Sequence, residues 1–357
     1  MKINKSDKIL IFRSAFIGDF LVCLPFFDYL INDIGLLKKN IYFITINNQN
    51  FNPLKIVFEH DSVISKNSMV LDTSNLLNSI KKIKNKISDI NFDKIIYLPF
   101  SQESIKSKLK KLIILKYIVG TFYKIYGLNS LKNFKKIYCS QYLSYFIQLE
   151  ISYQKKNIDI NNLLYFTKNE YENIKQINID EEKKNIALYI NSKLKMKIWT
   201  KENFYNIIIF LKKNYNAHIY LIGDIHDLSY NQNFIDKYKL KDIDNIAGKL
   251  SIRETFLFLD NIDLLISNDG APVHIAAYTK CSILGLYTYK EPLGTWGPYI
   301  SKRYITIRKN VLCKECYLSE CKHPICLIDI KPNEIEYAIS LLLEIKDKIY
   351  QHETLLL

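Results

Sequence analysis

The chain has 357 residues, 48% of them hydrophobic and 24% charged, which suits two globular domains of about 150–200 residues each. Ten Gly and eight Pro exclude a fibrous or low-complexity chain. The formal net charge of +14 favours an anionic partner such as a nucleic acid, a lipid headgroup or a phosphorylated glycan, and a solvated lysine-rich face is the simpler alternative.

The first half of the chain alternates strand and helix patterns. The predicted elements are a strand at Lys8–Arg13, a helix at Phe20–Ile31, a strand at Ile41–Ile46, a helix at Leu76–Ile90 and a strand at Lys94–Leu98. Residues 101–150 are predicted to be helical and basic, with nine Lys and no acidic residue between Ser104 and Leu149. Strands that alternate with helices indicate βαβ units and a parallel sheet.

A polar stretch at residues 152–184 precedes a second alternation, and it places the domain linker near Tyr171–Lys184. The predicted elements that follow are strands at Asn185–Ile190, His218–Ile222, Asp263–Ser267, Ser282–Tyr287 and Tyr304–Ile307, with helices at Glu202–Tyr215, Ser251–Leu259, from Val273 and at Glu334–Ile349. Ser251 and Glu254 form a predicted capping box. The predicted organisation is a domain at 1–175, a domain at 183–333 and a closing helical segment at 334–357.

Ligands of doubly wound sheets bind at the carboxyl ends of strands, and three strand ends carry suitable residues. In Ser267–His274 a buried strand runs through small residues into a helix, which suits a phosphate; an ordinary N-cap Asp269 and a packed His274 are the alternative. The Ser192–Trp199 segment has three Lys that suit a leaving diphosphate, or it is a basic surface loop.

The third strand end is Arg13–Asp19, near the start of the chain. Gly18 permits a tight turn from strand to helix, and Asp19 comes at the beginning of that helix. Asp19 is therefore either a carboxylate available for chemistry or an N-cap.

The seven Cys lie in a chain without a secretory signal pattern or an apolar run of about 18 residues, so we expect free thiols, no secretion and no transmembrane helix. Four of them cluster, at Cys313, Cys316, Cys321 and Cys326, with His323 as a substitute ligand. A structural zinc site is one interpretation of this cluster, and reduced or partly disulfide-bonded thiols are the other. The Asp242-Ile243-Asp244 segment is interpreted as solvated acid.

Four motifs together resemble glycosyltransferase family 9, the bacterial lipopolysaccharide heptosyltransferases. They are R-x-x-x-x-G-D at Arg13–Asp19, K-x-W-x-x-E-x-F at Lys197–Phe204, G-K-x-S-x-x-E at Gly248–Glu254 and N-D-x-x-P-x-H-x-A-A at Asn268–Ala277. The resemblance implies an α/β chain with the GT-B fold, in which two Rossmann-like doubly wound domains face a central cleft. It further implies an acceptor-binding N-terminal domain, a nucleotide-sugar-binding C-terminal domain and a last helix that crosses back to the first domain.

The resemblance also implies roles for individual residues. Asp19 would be the catalytic base, and no metal or other cofactor would be needed for catalysis. The residues implied to bind the donor are Ser192 and Lys197 at the phosphates, Asp227 at the ribose, Leu250 near the adenine, and Asp269, Gly270, Ala271 and His274 at the diphosphate and sugar.

The implied function is the inverting transfer of heptose from ADP-heptose to a lipopolysaccharide core or related glycan. Two departures from the family pattern occur. Gly270 and Ala271 replace the Ser and Gly of the family's N-D-S-G-P, and Tyr287-Thr288 replaces its Phe-Gly. A family member that uses a different nucleotide sugar or cell-surface acceptor is therefore the alternative. A nucleic-acid-binding protein lacks a recognised motif, and a catalytically inactive nucleotide binder is disfavoured by Asp19 and Lys197.

The expected location is the cytoplasm, peripheral on the inner face of the cytoplasmic membrane. The expected partners are a nucleotide sugar, an anionic glycolipid acceptor such as lipopolysaccharide and the inner-membrane surface, with no nucleic acid. Lys106, Lys108, Lys110 and Lys111, interleaved with Leu109, Leu112 and Ile113, are the residues expected to meet the anionic surface.

Overall fold

The computed structural model divides into two compact units, Met1–Tyr165 and Phe166–Leu357. The structure describes residues 1–14, 16–48, 51–97, 104–120, 125–127, 141–153, 158–292, 294–301, 303–313, 315–318, 320–344 and 350–356. Among these residues no helix combines the length and the apolar character needed to cross a bilayer.

The first unit is built on a parallel sheet with the strand order β3-β2-β1-β4-β5 in its described residues. Its strands are β1 Ile9–Arg13, β2 Ile41–Asn47, β3 Ser68–Asp72, β4 Lys94–Tyr97 and β5 Ile125–Tyr126. Its helices are α1 Ile17–Leu21, α2 Leu24–Asp28, α3 Pro53–Val57, α4 Ser62–Lys66, α5 Leu76–Ile87, α6 Ile105–Val119, α7 Gln141–Gln148 and α8 Ile160–Leu163. The order reverses direction at β1, as in a doubly wound domain.

The first helix of this unit differs from the prediction. The predicted continuous helix at Phe20–Ile31 is divided into α1, α2 and a π-helical turn at Tyr29–Asp33. Pro25 explains the division, because it has no backbone N–H and favours the first turn of a helix, where it begins α2. Two strands of this unit were not predicted, β3 and the two-residue β5, because their apolar runs are too short to separate from their surroundings.

The second unit contains a parallel sheet with the order β12-β11-β10-β9-β6-β7-β8 in its described residues. Its strands are β6 Lys184–Tyr189, β7 Ala217–Leu221, β8 Ile243–Asn245, β9 Leu264–Asn268, β10 Ser282–Leu286, β11 Arg303–Arg308 and β12 Tyr350–Leu356. Its helices are α9 Lys168–Lys175, α10 Lys201–Tyr215, α11 Asp227–Tyr238, α12 Ile252–Leu259, α13 Ala271–Ala276, α14 Ile325–Ile328 and α15 Pro332–Glu344. The α/β class with two Rossmann-like domains is thus confirmed.

The last helix packs within the second unit. Ile335, Ala338 and Ile339 of α15 are fully buried in the same core as Trp199 and Leu284. The buried face of Pro332–Glu344 is thus covered by strands and helices of its own unit, and the crossing of the closing segment back to the first domain stays a prediction. The predicted extension to Ile349 lies outside the described residues.

The boundary between the units falls at Tyr165 and Phe166, before the predicted linker. Helix α9 belongs to the second unit because Glu170 accepts a 2.7 Å hydrogen bond from the buried Arg253 of α12. Asn173 of the same helix donates a 2.6 Å hydrogen bond to Glu254. The sequence of α9 is mostly polar, and the contacts that join this helix to α12 are polar too. No apolar pattern in the sequence therefore predicts that α9 belongs to the second unit.

Candidate active site

Three adjacent strands of the second sheet end in one row. The register pairs Asn268 with Leu286, and Leu286 with Ile307, across β9, β10 and β11. The next residues, Asp269, Tyr287 and Arg308, therefore lie side by side at the carboxyl ends of their strands. Asp269 and Tyr287 follow β9 and β10, and Arg308 is the last residue of β11. Such an edge of a parallel sheet is where doubly wound domains bind ligands.

Lys197 and Asp269, both predicted to bind the donor, form an ion pair at this edge. The Lys197 Nζ lies 2.5 Å from the Asp269 Oδ2, and the two side chains are 17% and 9% exposed. Lys197 ends a single 3-10 turn at Lys195–Lys197. The pairing fixes a lysine ammonium beside the strand ends, in a partly dehydrated place where its charge acts strongly.

Asn268 joins the Lys197 loop to the end of β9. Its Oδ1 accepts a 3.1 Å hydrogen bond from the Trp199 backbone N–H, and its Nδ2 donates to the Asn191 carbonyl at 3.2 Å. Trp199 is fully buried and donates its indole N–H to the Ile330 carbonyl. The loop that carries Lys197 is thus held at both ends, which keeps the ammonium in position without a bound ligand.

The small residues after β9 serve packing as well as access. A Cβ on Gly270 would lie 3.0 Å from the Tyr189 ring, so glycine allows the turn to pass close to that side chain. Ala271 begins α13, which is only six residues long.

His274 of this helix is 96% buried, and burial lowers its pKa to about 4. The Asp269 charge opposes this shift, and the Lys197 charge adds to it. The imidazole is therefore neutral at neutral pH.

The other predicted donor residues lie in loops of the same unit. Ser192 follows β6, and its hydroxyl accepts the Leu194 backbone N–H at 3.4 Å. Leu250 is partly buried immediately before the confirmed capping box of Ser251 and Glu254. The buried Asp227 accepts hydrogen bonds from the Asn191 side chain (2.7 Å) and the Asp224 backbone N–H (2.9 Å). Burial raises the pKa of Asp227, and these bonds hold together the loops after β6 and β7.

Several residues around the ion pair were not predicted. A pocket beside the pair is lined by both its members and by Lys290, Glu291, Trp296 and Arg308, among others. Arg308 follows the predicted strand Tyr304–Ile307, so the rule that ligands bind at strand ends already pointed to it. Glu291 and Trp296 lie in the loop between β10 and β11, where no periodic pattern singles them out.

In the first unit, Asp19 is the third residue of α1 and is partly exposed. Its Oδ2 accepts a 3.2 Å hydrogen bond from the Phe16 backbone N–H, which satisfies one donor at the helix start. Arg13 ends β1 fully buried, with its guanidinium 4.6 Å from the centre of the Tyr145 ring. Cys23 is buried nearby, and burial raises its pKa to about 12, so this thiol stays neutral.

The four clustered cysteines are free thiols. Cys326 is buried, whereas Cys313 is exposed. Burial raises the pKa of Cys326, with charges on the other three clustered cysteines adding to the shift. Across the part of the chain that the structure describes, no group of three or more His, Cys, Asp or Glu side chains is arranged to hold a metal ion, so the predicted structural zinc is not supported.

Comparison with known proteins gives a family match. The sequence model of glycosyltransferase family 9 (heptosyltransferase) matches residues 134–325, which are more than half of the chain. The lipooligosaccharide heptosyltransferase 2 of Campylobacter jejuni is 24% identical over 150 residues, which are 41% of this chain and 47% of that enzyme. The chain therefore matches about half the length of this curated relative.

Two solved structures share the fold over nearly the whole chain. A family 9 glycosyltransferase from Veillonella parvula is 18% identical, with a TM-score of 0.67 over 96% of this chain and 98% of that one. The E. coli heptosyltransferase WaaC with ADP-2-deoxy-2-fluoro heptose is 13% identical, with a TM-score of 0.56 over 93% and 98%. These likenesses extend to both units.

Proposed function

Because the chain belongs to glycosyltransferase family 9, we propose that it transfers heptose from ADP-heptose to a lipopolysaccharide core or a related glycan, with inversion and without a catalytic metal. The observation that carries this proposal is the ion pair of Lys197 and Asp269 at the strand ends of the second unit. A fixed ammonium at this edge suits the diphosphate of a nucleotide sugar.

In this proposal the second unit binds the donor. Lys197 binds the diphosphate and stabilises the charge that develops on it as the bond to the sugar breaks. Asp269 positions that ammonium, and the neutral His274 takes part as a hydrogen-bonding group without adding charge. The remaining donor contacts come from Ser192, Asp227, Leu250, Gly270 and Ala271.

Asp19 of the first unit is the proposed catalytic base. A sugar hydroxyl is a weak nucleophile until a positioned carboxylate takes its proton as the new bond forms. The hydroxyl oxygen then displaces the diphosphate at the anomeric carbon from the opposite face, which inverts that centre. The position of Asp19 in the first turn of α1 favours the ionised form that a base requires.

We also propose that the protein works in the cytoplasm, peripherally bound to the inner face of the membrane that holds its acceptor. Helix α6 supports this with a solvent-facing side that carries Lys106, Leu109, Lys110, Ile113 and Tyr117. Two residues expected on this surface, Lys108 and Leu112, are buried instead. Side chains three and four apart share a helix face, so the buried Lys108 lies on the same face as Leu112 and Leu115, which pack in the core of the first unit.

A different nucleotide sugar is the second candidate donor. Tyr287 and Thr288 line the pocket beside Lys197, at positions where the resemblance implies Phe and Gly. A hydroxyl in place of a hydrogen atom changes which sugar substituents the pocket accepts. The acceptor glycan could differ in the same way without any change in the proposed chemistry.

Nucleotide selectivity tests the proposal. The full chain should gain thermal stability with ADP more than with UDP, GDP or CMP, because ligands that bind only the folded state raise its stability. Lys197→Gln should lower kcat/KM for ADP-heptose about 10- to 150-fold, the loss expected for one charge-assisted contact. Lys195→Gln is the matched control, an exposed lysine on the same 3-10 turn that should keep wild-type activity. A selective response to UDP would contradict ADP-heptose as the donor. Equal activity of the two variants would contradict the placement of the site at Lys197.

A further inference from the structure

The pocket beside the Lys197–Asp269 pair has a second fixed cation in its wall. Arg308 ends β11 and lies in the row of Asp269 and Tyr287, as the strand register requires. It lines the pocket together with Lys197, Lys290 and Glu291. Strand β11, which lies next to β10 in the sheet, thus brings a guanidinium to the same edge as the predicted donor residues.

The Arg308 side chain is buried but incompletely paired. The residue is 4% exposed, and one Nη donates a 2.8 Å hydrogen bond to the Glu291 carbonyl. The guanidinium also lies 5.0 Å from the centre of the Tyr289 ring. Among the residues that the structure describes, its buried Nε–H finds no hydrogen-bond acceptor. A buried donor without a partner is costly, and a charged one more so, which indicates that the group is retained for a ligand.

The charges that line the pocket leave an excess of cation. Asp269 is already committed to Lys197. Burial raises the pKa of the second carboxyl, Glu291, which disfavours its charged form. Arg308 uses the backbone carbonyl of Glu291 rather than its carboxylate. An anion entering this pocket would therefore meet the guanidinium and the ammonium together, and a planar guanidinium suits two oxygens of one phosphate.

We propose that Arg308 is a donor-binding residue whose guanidinium binds phosphate oxygens of a nucleoside diphosphate sugar alongside Lys197. The proposal rests on the proposed function in one respect, that the ligand is a nucleoside diphosphate sugar. It does not depend on which base or sugar that ligand carries. The same contact would remain on the nucleoside diphosphate after the sugar has left, so Arg308 should contribute to product affinity as well as donor affinity.

Calorimetric titration of the full chain tests this with ADP, UDP, GDP and the corresponding nucleosides. Arg308→Gln should weaken binding of the diphosphate that the wild type prefers about 10- to 100-fold, while affinity for the matching nucleoside stays unchanged. Lys309→Gln is the matched control, since it removes the same charge one residue further on, where the side chain pairs with Glu334 outside the pocket. It should bind both ligands as the wild type does.

The outcomes separate this proposal from the proposed function. Wild-type diphosphate affinity in Arg308→Gln would overturn the role of Arg308, whichever nucleotide is preferred. A wild-type preference for UDP or GDP would overturn ADP-heptose as donor, and the comparison of variants would still decide the role of Arg308. A wild type that binds no nucleoside diphosphate would overturn both. If Arg308→Gln does not fold, Arg308→Lys replaces it in the test. This variant should bind the diphosphate several-fold more weakly than the wild type, and an unchanged affinity would count against the proposal.

Discussion

Asp19 combines a structural contact with a position suited to catalysis. Its carboxylate accepts the Phe16 backbone N–H at the start of α1, yet the side chain remains partly exposed. A carboxylate has lone pairs enough to accept this bond and still take a proton from a substrate. The structural and the catalytic interpretations are therefore compatible at this residue, and a substitution that preserves shape separates them.

Asp19→Asn keeps an oxygen for the Phe16 N–H but removes the basicity. It should lower kcat about 10²–10⁴-fold, with donor affinity and melting temperature nearly unchanged. The measurement is steady-state transfer together with a melting curve. Asp61→Asn is the control, because Asp61 caps α4 in the same unit and should affect stability without reducing turnover. Retained turnover with a lowered melting temperature in Asp19→Asn would show that its role is only to cap the helix.

At the scale of single elements, α6 has one buried and one exposed face, and both carry apolar side chains. One face buries Leu112 and Leu115 against the sheet, and the other leaves Ile113 64% and Tyr117 63% exposed. Lysines lie between the exposed apolar residues, and the helix contains no acidic residue. Apolar side chains interleaved with lysines suit the surface of an anionic bilayer, where both kinds of contact form at once.

The double variant Lys106→Glu/Lys110→Glu should lose binding to vesicles that contain phosphatidylglycerol. Each lysine near an anionic surface contributes about 1 kcal/mol, so binding should fall at least about 30-fold. Vesicle flotation measures this, and high salt should release the wild type. Lys213→Glu/Lys241→Glu makes the same change in net charge at exposed lysines of the second unit and should float normally. Flotation of the wild type that depends on neither salt nor anionic lipid would refute the membrane role of α6.

For the whole molecule, the structure gives each unit a hydrophobic core of its own. The second unit should therefore fold and bind nucleotide alone, provided that α9 is kept. Glu170 of α9 pairs with Arg253, which is 1% exposed, and Arg253 also lies over the Phe166 ring at 4.8 Å. Removing the partner of a buried charge is strongly destabilising.

Residues 166–357 should unfold cooperatively and respond to ADP, whereas residues 183–357 should be less stable by about 3–5 kcal/mol because Arg253 loses the Glu170 carboxylate. Urea unfolding of the two fragments measures the difference. Glu170→Gln in the longer fragment is the control for the ion pair alone and should account for most of that loss. Equal stability of the two fragments would place the boundary at the predicted linker instead.

Local patterns determined much of this protein. A strand buried on both faces of a parallel sheet is a short apolar run, so β1, β6, β7, β9, β10 and β11 were predictable within one or two residues. The residues just after those runs included Asp19 and Asp269, because ligand-binding residues collect where parallel strands end. The family followed from four motifs of this kind.

The tertiary structure alone decided which residues meet. Lys197 and Asp269 are 72 positions apart and pair because β6 and β9 are neighbours in the sheet. Arg308 reaches the same pocket because β11 follows β9 and β10 in strand order. The helix α15 packs into the core of its own unit, and Lys108 is buried on the inner face of α6, because neighbouring elements cover those faces. Strand order and helix contacts depend on packing between distant segments, and a local apolar pattern carries no information about its partner.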